Sequence, residues 1–111
     1  MQDKQKIKEN IQEYKKNRKP VIFISGPITD DPQYKEKFKA AEEFLNNKGY
    51  AVLNPAKLPL GMEYISYMMI CKSYLLEAEE VYLLKDWENS EGARLEVRLA
   101  KILNRKIINQ E

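Results

Sequence analysis

Glu96 is the residue whose place in the sequence most demands a chemical explanation. Residues 90–103 read as a helix. At about 100° per residue, Gly92, Ala93, Leu99, Ala100 and Leu103 all fall within about 60° of Glu96. Arg94, Arg98, Lys101 and Glu91 fall on the other side. The carboxylate is therefore expected at the centre of the apolar arc, where it loses solvation, and an unpaired buried charge is costly. Such a group needs a partner, a ligand or a cleft. In one reading Glu96 pairs with a lysine, a tyrosine hydroxyl or a backbone amide from elsewhere in the chain. In the other it faces a pocket, where Gly92 and Ala93 leave the space that larger side chains would fill.

Two further segments have the residue types of a ligand site. Ser25-Gly26-Pro27-Ile28-Thr29-Asp30 directly follows an apolar run. Loops in that position present backbone N–H groups to a phosphate or hydroxyl. The glycine spacing of a dinucleotide fingerprint is missing, and so is a Walker loop; a plain strand-to-helix turn is the simpler explanation of the segment. In Trp87-Glu88-Asn89-Ser90-Glu91-Gly92, Ser90 is a plausible helix N-cap. The first turn behind it is a natural anion site. Trp87 either stacks on a base or covers the core edge. With no histidine and one cysteine, Cys71, no metal site is expected. Asp30 and Asp31 come too late for a metal-dependent phosphotransfer centre, and helix capping explains them, with Asp31 as N-cap and Pro32 in the first turn.

The elements that must position these residues follow from periodicity. Residues 3–18 form an amphipathic helix with Ile7, Ile11 and Tyr14 as a narrow stripe, ended by Pro20. Val21-Ile22-Phe23-Ile24 is an apolar, β-branched run suited to a strand buried on both faces. A helix follows from residue 32 to about Lys48, stopped by Gly49. Strands are expected at 50–53, 81–84 and 106–108, and helices at 62–77 and 90–103. Asn54-Pro55 ends the second strand. Strands alternating with helices imply an α/β fold, a Rossmann-like or flavodoxin-like three-layer sandwich. Its mainly parallel sheet has four to five strands, and a helix is added at the N-terminus. Residues 1–19 are that helix; residues 20–111 are the domain. Ligands in such sheets sit beyond the carboxyl ends of the strands, at the switch point. Here those ends are residues 25–30, 54–61 and 85–90.

The chain has 111 residues and a net charge of +2, with seven Lys/Arg against three Asp/Glu in residues 1–19. The body carries no basic stripe, so no strong nucleic-acid footprint is expected. No stretch approaches a membrane span, and the N-terminus has no apolar signal core. A cytoplasmic protein is expected. Its core is thin for its size, which favours burying a shared face in a homo-oligomer.

Taken together, Phe-Ile-Ser-Gly-Pro-Ile-Thr at 23–29, Gly-Tyr-Ala-Val-Leu-Asn-Pro at 49–55, Val-Tyr-Leu-Leu at 81–84 and Trp-Glu-Asn-Ser-Glu-Gly-Ala-Arg-Leu-Glu at 87–96 carry a family resemblance. The chain resembles the nucleoside 2-deoxyribosyltransferase-like superfamily, in particular a small branch frequent in phages and bacteria. The resemblance covers about residues 20–108. It implies dimers or higher oligomers, no cofactor, and cleavage of the N-glycosidic bond of 2′-deoxynucleosides or their 5′-monophosphates. It implies Glu96 as the nucleophile on the anomeric carbon. It also implies substrate contacts from Ser25, Gly26, Pro27, Ile28, Asn54, Trp87, Ser90 and Gly92. The sequence departs from the family at Phe23, where a tyrosine is frequent, and at Cys71, where an acid is common. Glu63, Tyr64 and Tyr67 are the candidates to stand in for that acid, whereas Glu79, Glu80, Asp86 and Glu88 read as helix-end, strand-edge or solvated loop residues. These departures keep a second function in view: a nucleotide-derivative binding or sensing protein without turnover.

Overall fold

In the computed structural model, residues 3–111 are described, apart from the side chains of residues 14–17. Tyr14 of the N-terminal stripe thus lies outside the described side chains. The elements run α1 (Lys4–Asn17), β1 (Val21–Ser25), α2 (Tyr34–Asn47), β2 (Ala51–Leu53), α3 (Tyr64–Glu77), β3 (Glu80–Leu83), α4 (Glu91–Ile102) and β4 (Lys106–Asn109). The four strands form one parallel sheet in the order β2-β1-β3-β4. The architecture is the expected α/β sandwich with an added N-terminal helix. No helix among the described residues is long and apolar enough to cross a membrane.

The strand order dictates the layers. The chain steps from β1 to β2 in one direction, then from β2 to β3 and β3 to β4 in the other. Right-handed crossovers place helices on opposite faces when the direction reverses. Accordingly α2 covers one face, where Ile22, Ile24, Tyr82 and Leu84 meet Phe38, Ala41 and Leu45. Helices α3 and α4 share the other, where Val21, Phe23, Val81 and Leu83 meet Cys71, Leu75, Val97 and Ala100. Strand parity sorts the side chains, since alternate residues point to opposite faces. Ser25, at the end of β1, has the parity of Val21 and Phe23, and belongs to the α3–α4 side.

The helix ends show which local signals carried. Gly49, at φ +93°, ends α2 in a paired motif: Tyr50 N donates to Leu45 O and Gly49 N to Asn46 O. Asn104, at φ 61°, closes α4 in the same manner, with Arg105 N donating to Ala100 O. Asp31 does not cap α2 as expected. Its carboxylate accepts from Gln33 N at 2.9 Å and Tyr34 N donates to Asp31 O. These bonds close a tight turn ahead of the helix, which then begins at Tyr34. The carboxylate's other oxygen is held by Lys37 Nζ at 2.8 Å.

Candidate functional site

The buried stripe of α4 centres on Ala93, Val97 and Ala100. Glu96 therefore sits at the margin of the packed face, partly buried, and not at its centre. Val97 accounts for the difference: it reaches the sheet and rotates the stripe away from Leu99 and Leu103. The marginal position turns Glu96 toward the carboxyl end of β1. There Ser25 Oγ donates to Glu96 Oε1 at 2.6 Å, a short charge-assisted bond. Ser25 itself is wholly buried, so the hydroxyl is committed to this carboxylate. The Cys71 thiol of α3 lies beside it and, with Ser25, draws its pKa down.

These contacts do not offset the loss of water. Burial pushes the Glu96 carboxyl up from 4.5 to about 7, against the pull of Ser25 and Cys71 in the other direction. Burial and then the charge of Glu96 push the Cys71 thiol up to about 12, so it stays protonated. Tyr67 is raised well above the usual phenol range, chiefly by burial and then by Cys71. The three groups form a small buried cluster with a single carboxylate.

Glu96 lines a cavity of about 430 Å³ at the carboxyl edge of the sheet, within the roughly 300–1,000 Å³ of small-molecule sites. Gly26, Ile28, Ser90 and Gly92, four of the residues read as substrate contacts, line it too, together with Thr29, Asp30, Tyr64, Tyr67 and Arg94. A second hollow of about 250 Å³ adjoins it, sharing Ile28, Thr29, Tyr64 and Tyr67 and extending to Tyr34, Pro55 and Leu58. The location between β1 and β3 is the point where the strand order reverses, the expected ligand position for such sheets.

Four expected contact residues lie elsewhere, the first being Ser25, which is wholly buried against Glu96 and lines neither hollow. Pro27 is buried and outside both linings. Asn54 is buried with its side chain accepting from Ala56 N at 2.9 Å, so it caps the turn after β2. Trp87 packs on the core beside α4, which decides between its two readings in favour of the core edge. Phe23 is fully buried, its ring 6.1 Å from that of Tyr74. Of the acids read as peripheral, Glu79 pairs with Arg18 at 2.8 Å and Glu80 accepts from Tyr50 at 3.1 Å. Asp86 is not simply solvated: Lys37 Nζ holds it at 2.9 Å while also holding Asp31. That lysine ties the loop after β1 to the loop after β3, the two loops that frame the cavity.

Backbone geometry builds the cavity wall. A Cβ on Gly26 would stand 2.7 Å from Leu84 Cδ1, so glycine lets the ends of β1 and β3 approach. At Gly92 the nearest group to such a Cβ is Ser90 Oγ at 3.8 Å, and the space beside it stays open. Ser90 Oγ caps α4 by accepting from Ala93 N at 3.1 Å, as expected. The N–H groups of Glu91 and Gly92 have no partner within the helix, which suits an anion. Arg94 adds a positive charge one turn on. Sequence reasoning missed Arg94, which the helical wheel set on the solvent side, and Met68 of α3. Arg94 enters the lining because the cavity wraps around the first turn of α4, and Met68 because it sits on α3 beside Tyr64 and Tyr67.

Residues 20–109 match the family described as a domain of unknown function, DUF4406. The chain belongs to this family. The match begins immediately after the N-terminal helical segment and includes every residue named in the cavity. No curated protein matches the chain. Among the described residues, no group of three or more His, Cys, Asp or Glu side chains is placed to hold a metal ion.

Proposed function

We propose that the cleft binds a 2′-deoxynucleoside or its 5′-monophosphate, and that Glu96 attacks the anomeric carbon in an N-glycosidase or deoxyribosyltransferase reaction. The observation that carries this reading is the Ser25-held Glu96 carboxylate on the floor of a 430 Å³ cavity at the switch point. The resemblance to deoxyribosyltransferase-like proteins supplies the reaction type. A Glu96 oxygen forms a bond to C1′ as the C1′–N bond breaks. The electron pair of that bond leaves with the base, which takes up a proton. Water, or a second base, then displaces Glu96 from C1′. Ser25 orients the attacking carboxylate. The hollow flanked by Tyr34, Tyr64 and Tyr67 accepts the base, and the first turn of α4 with Arg94 accepts a phosphate. A cytoplasmic setting fits this substrate and the single free cysteine.

The test is release of free base from a panel of deoxynucleosides and monophosphates by the pure protein. Turnover that Glu96→Gln abolishes, with the fold retained, supports the reaction. No turnover of any member counts against it. One observation favours binding without turnover: Cys71, and not a second acid, lies against Glu96. That reading predicts thermal stabilisation by a nucleotide recovered unchanged.

A further inference from the structure

Breaking the C1′–N bond puts an electron pair on the base, which leaves readily only if it gains a proton. Glu96 cannot supply that proton, because a nucleophile must be ionised. The donor has to stand where the cavity that holds Glu96 meets the hollow for the base. Among the described residues four line both: Ile28, Thr29, Tyr64 and Tyr67. Ile28 has no proton to give. Thr29 and Tyr64 are exposed, Tyr64 at 66%. Tyr67 alone of the four carries a half-buried hydroxyl group. Its ring packs against the core that holds Cys71, Leu75 and Val97, which fixes its direction. It stands one turn before Cys71 on α3. Burial first, then Cys71 and Glu96 nearby, raise it above the usual phenol range, so it rests protonated beside the carboxylate. The acids Asp30 and Glu91 are exposed and do not line the hollow for the base. Cys71 is wholly buried and lines neither space.

We propose that Tyr67 donates the proton to the leaving base and recovers one from the water or second base that releases the sugar. This role rests on the reading of Glu96 as the nucleophile. In the first step a Glu96 oxygen bonds to C1′ and the C1′–N electron pair goes to the base. The Tyr67 proton passes to an acceptor atom of that base. The negative charge thereby moves from Glu96, now an ester, to the Tyr67 oxygen. Loss of the Glu96 charge removes one of the influences that disfavour the phenolate. In the second step water gives a proton to Tyr67 as the water oxygen bonds to C1′ and the ester bond to Glu96 breaks. Glu96 regains its charge and Tyr67 its proton. The pair carries one negative charge throughout, so the buried cluster never holds two. A group that acts first as acid and then as base is what a double displacement at an anomeric carbon requires.

Two substrates separate proton donation from mere packing: 2′-deoxyguanosine 5′-monophosphate and its N7-methyl derivative. The methylated ring already carries a positive charge, so its base leaves without a proton. Tyr67→Phe is expected to lose about 100-fold or more in kcat/KM on the first substrate and to cleave the second at close to the wild-type rate. An equal loss on both substrates, or no loss on either, overturns the role of Tyr67. Should Tyr67→Phe fail to fold, the wild type decides in heavy water. There kcat/KM is expected to fall for the parent nucleotide and to hold for the methylated one; equal effects on the two overturn the proposal. Glu96→Gln separates this failure from that of the nucleophile. A wild type that cleaves only the methylated substrate, with Glu96→Gln inactive on it, removes Tyr67 as donor and keeps Glu96. Cleavage of neither substrate by the wild type, or of both by Glu96→Gln, removes the nucleophile and Tyr67's role with it.

Discussion

Replacing Glu96 by Gln removes the ionisable proton while keeping the shape of the side chain and an oxygen for the Ser25 hydroxyl to donate to. The folded-state value of Glu96 is raised from 4.5 to about 7. Between those pH values the folded protein holds a proton that the unfolded chain has released. Stability therefore falls as pH rises: the contribution of the protonated acid is fully present below pH 4.5 and is lost by the time pH passes 7. The shift corresponds to about 3 kcal/mol, trimmed to about 2–3 kcal/mol because the group is only partly buried. Glu96→Gln stays neutral throughout and escapes this loss. Its stability relative to wild type is expected to be near zero at about pH 4 and to grow to about 2–3 kcal/mol at about pH 8. In a domain of this size that is roughly 10 °C in Tm. Paired denaturation curves of the two proteins across the window measure it, and every other titrating group cancels in the difference. A difference that stays flat with pH refutes the reasoning. So does a wild type that gains on the variant between pH 4.5 and 7.

The same titration sets the pH dependence of the proposed reaction. A nucleophilic Glu96 must be ionised, so kcat/KM is expected to rise through about pH 7 and level off above it; a profile that instead falls through that midpoint would make Glu96 an acid and exclude the nucleophile. Gly26→Ala puts a Cβ 2.7 Å from Leu84 Cδ1 and is expected to destabilise by about 1–3 kcal/mol through overpacking. A denaturant midpoint equal to wild type would show that the two strand ends are not in close contact. Lys37→Met removes the cation shared by Asp31 and Asp86, and amide hydrogen exchange is expected to quicken in residues 26–31 and 84–89 but not in β1. Unchanged exchange in both loops would leave the lysine without a role in framing the cavity.

Most of the framework was readable in the sequence because strong, local signals agree with the tertiary structure. Apolar runs marked four strands, Gly49 and Ser90 marked helix ends, and alternation of strands with helices required a parallel sheet. Asp31 misled because its carboxylate has a nearer amide in the turn and a lysine partner, neither visible from spacing alone. The wheel for α4 placed Glu96 at the centre of its arc because it weighed Leu99 and Leu103 and left out Val97. Which apolar residue faces the sheet depends on how the helix lies across the strands, and that is a tertiary property. Asn54 and Trp87 had the right chemistry at the right strand ends, but the turn after β2 and the core edge use them. The partnership of Ser25 with Glu96 spans 71 residues, and periodicity within one element carries no information at that range.

Yet that partnership follows from two rules once they are combined. Strand parity puts Ser25 on the same face as Val21 and Phe23, and right-handed crossovers put α3 and α4 together on that face. A hydroxyl at position 24 or 26 would point to α2 and meet no acid. On α4 a carboxylate at the packed centre, where Val97 stands, would face Val81 and Leu83 with no polar partner. At the margin, Glu96 meets the one polar side chain that β1 directs to this face, and still borders the cavity. A carboxyl raised toward neutrality by burial, held by Ser25 and bordering the cavity, fits the nucleophile proposed above.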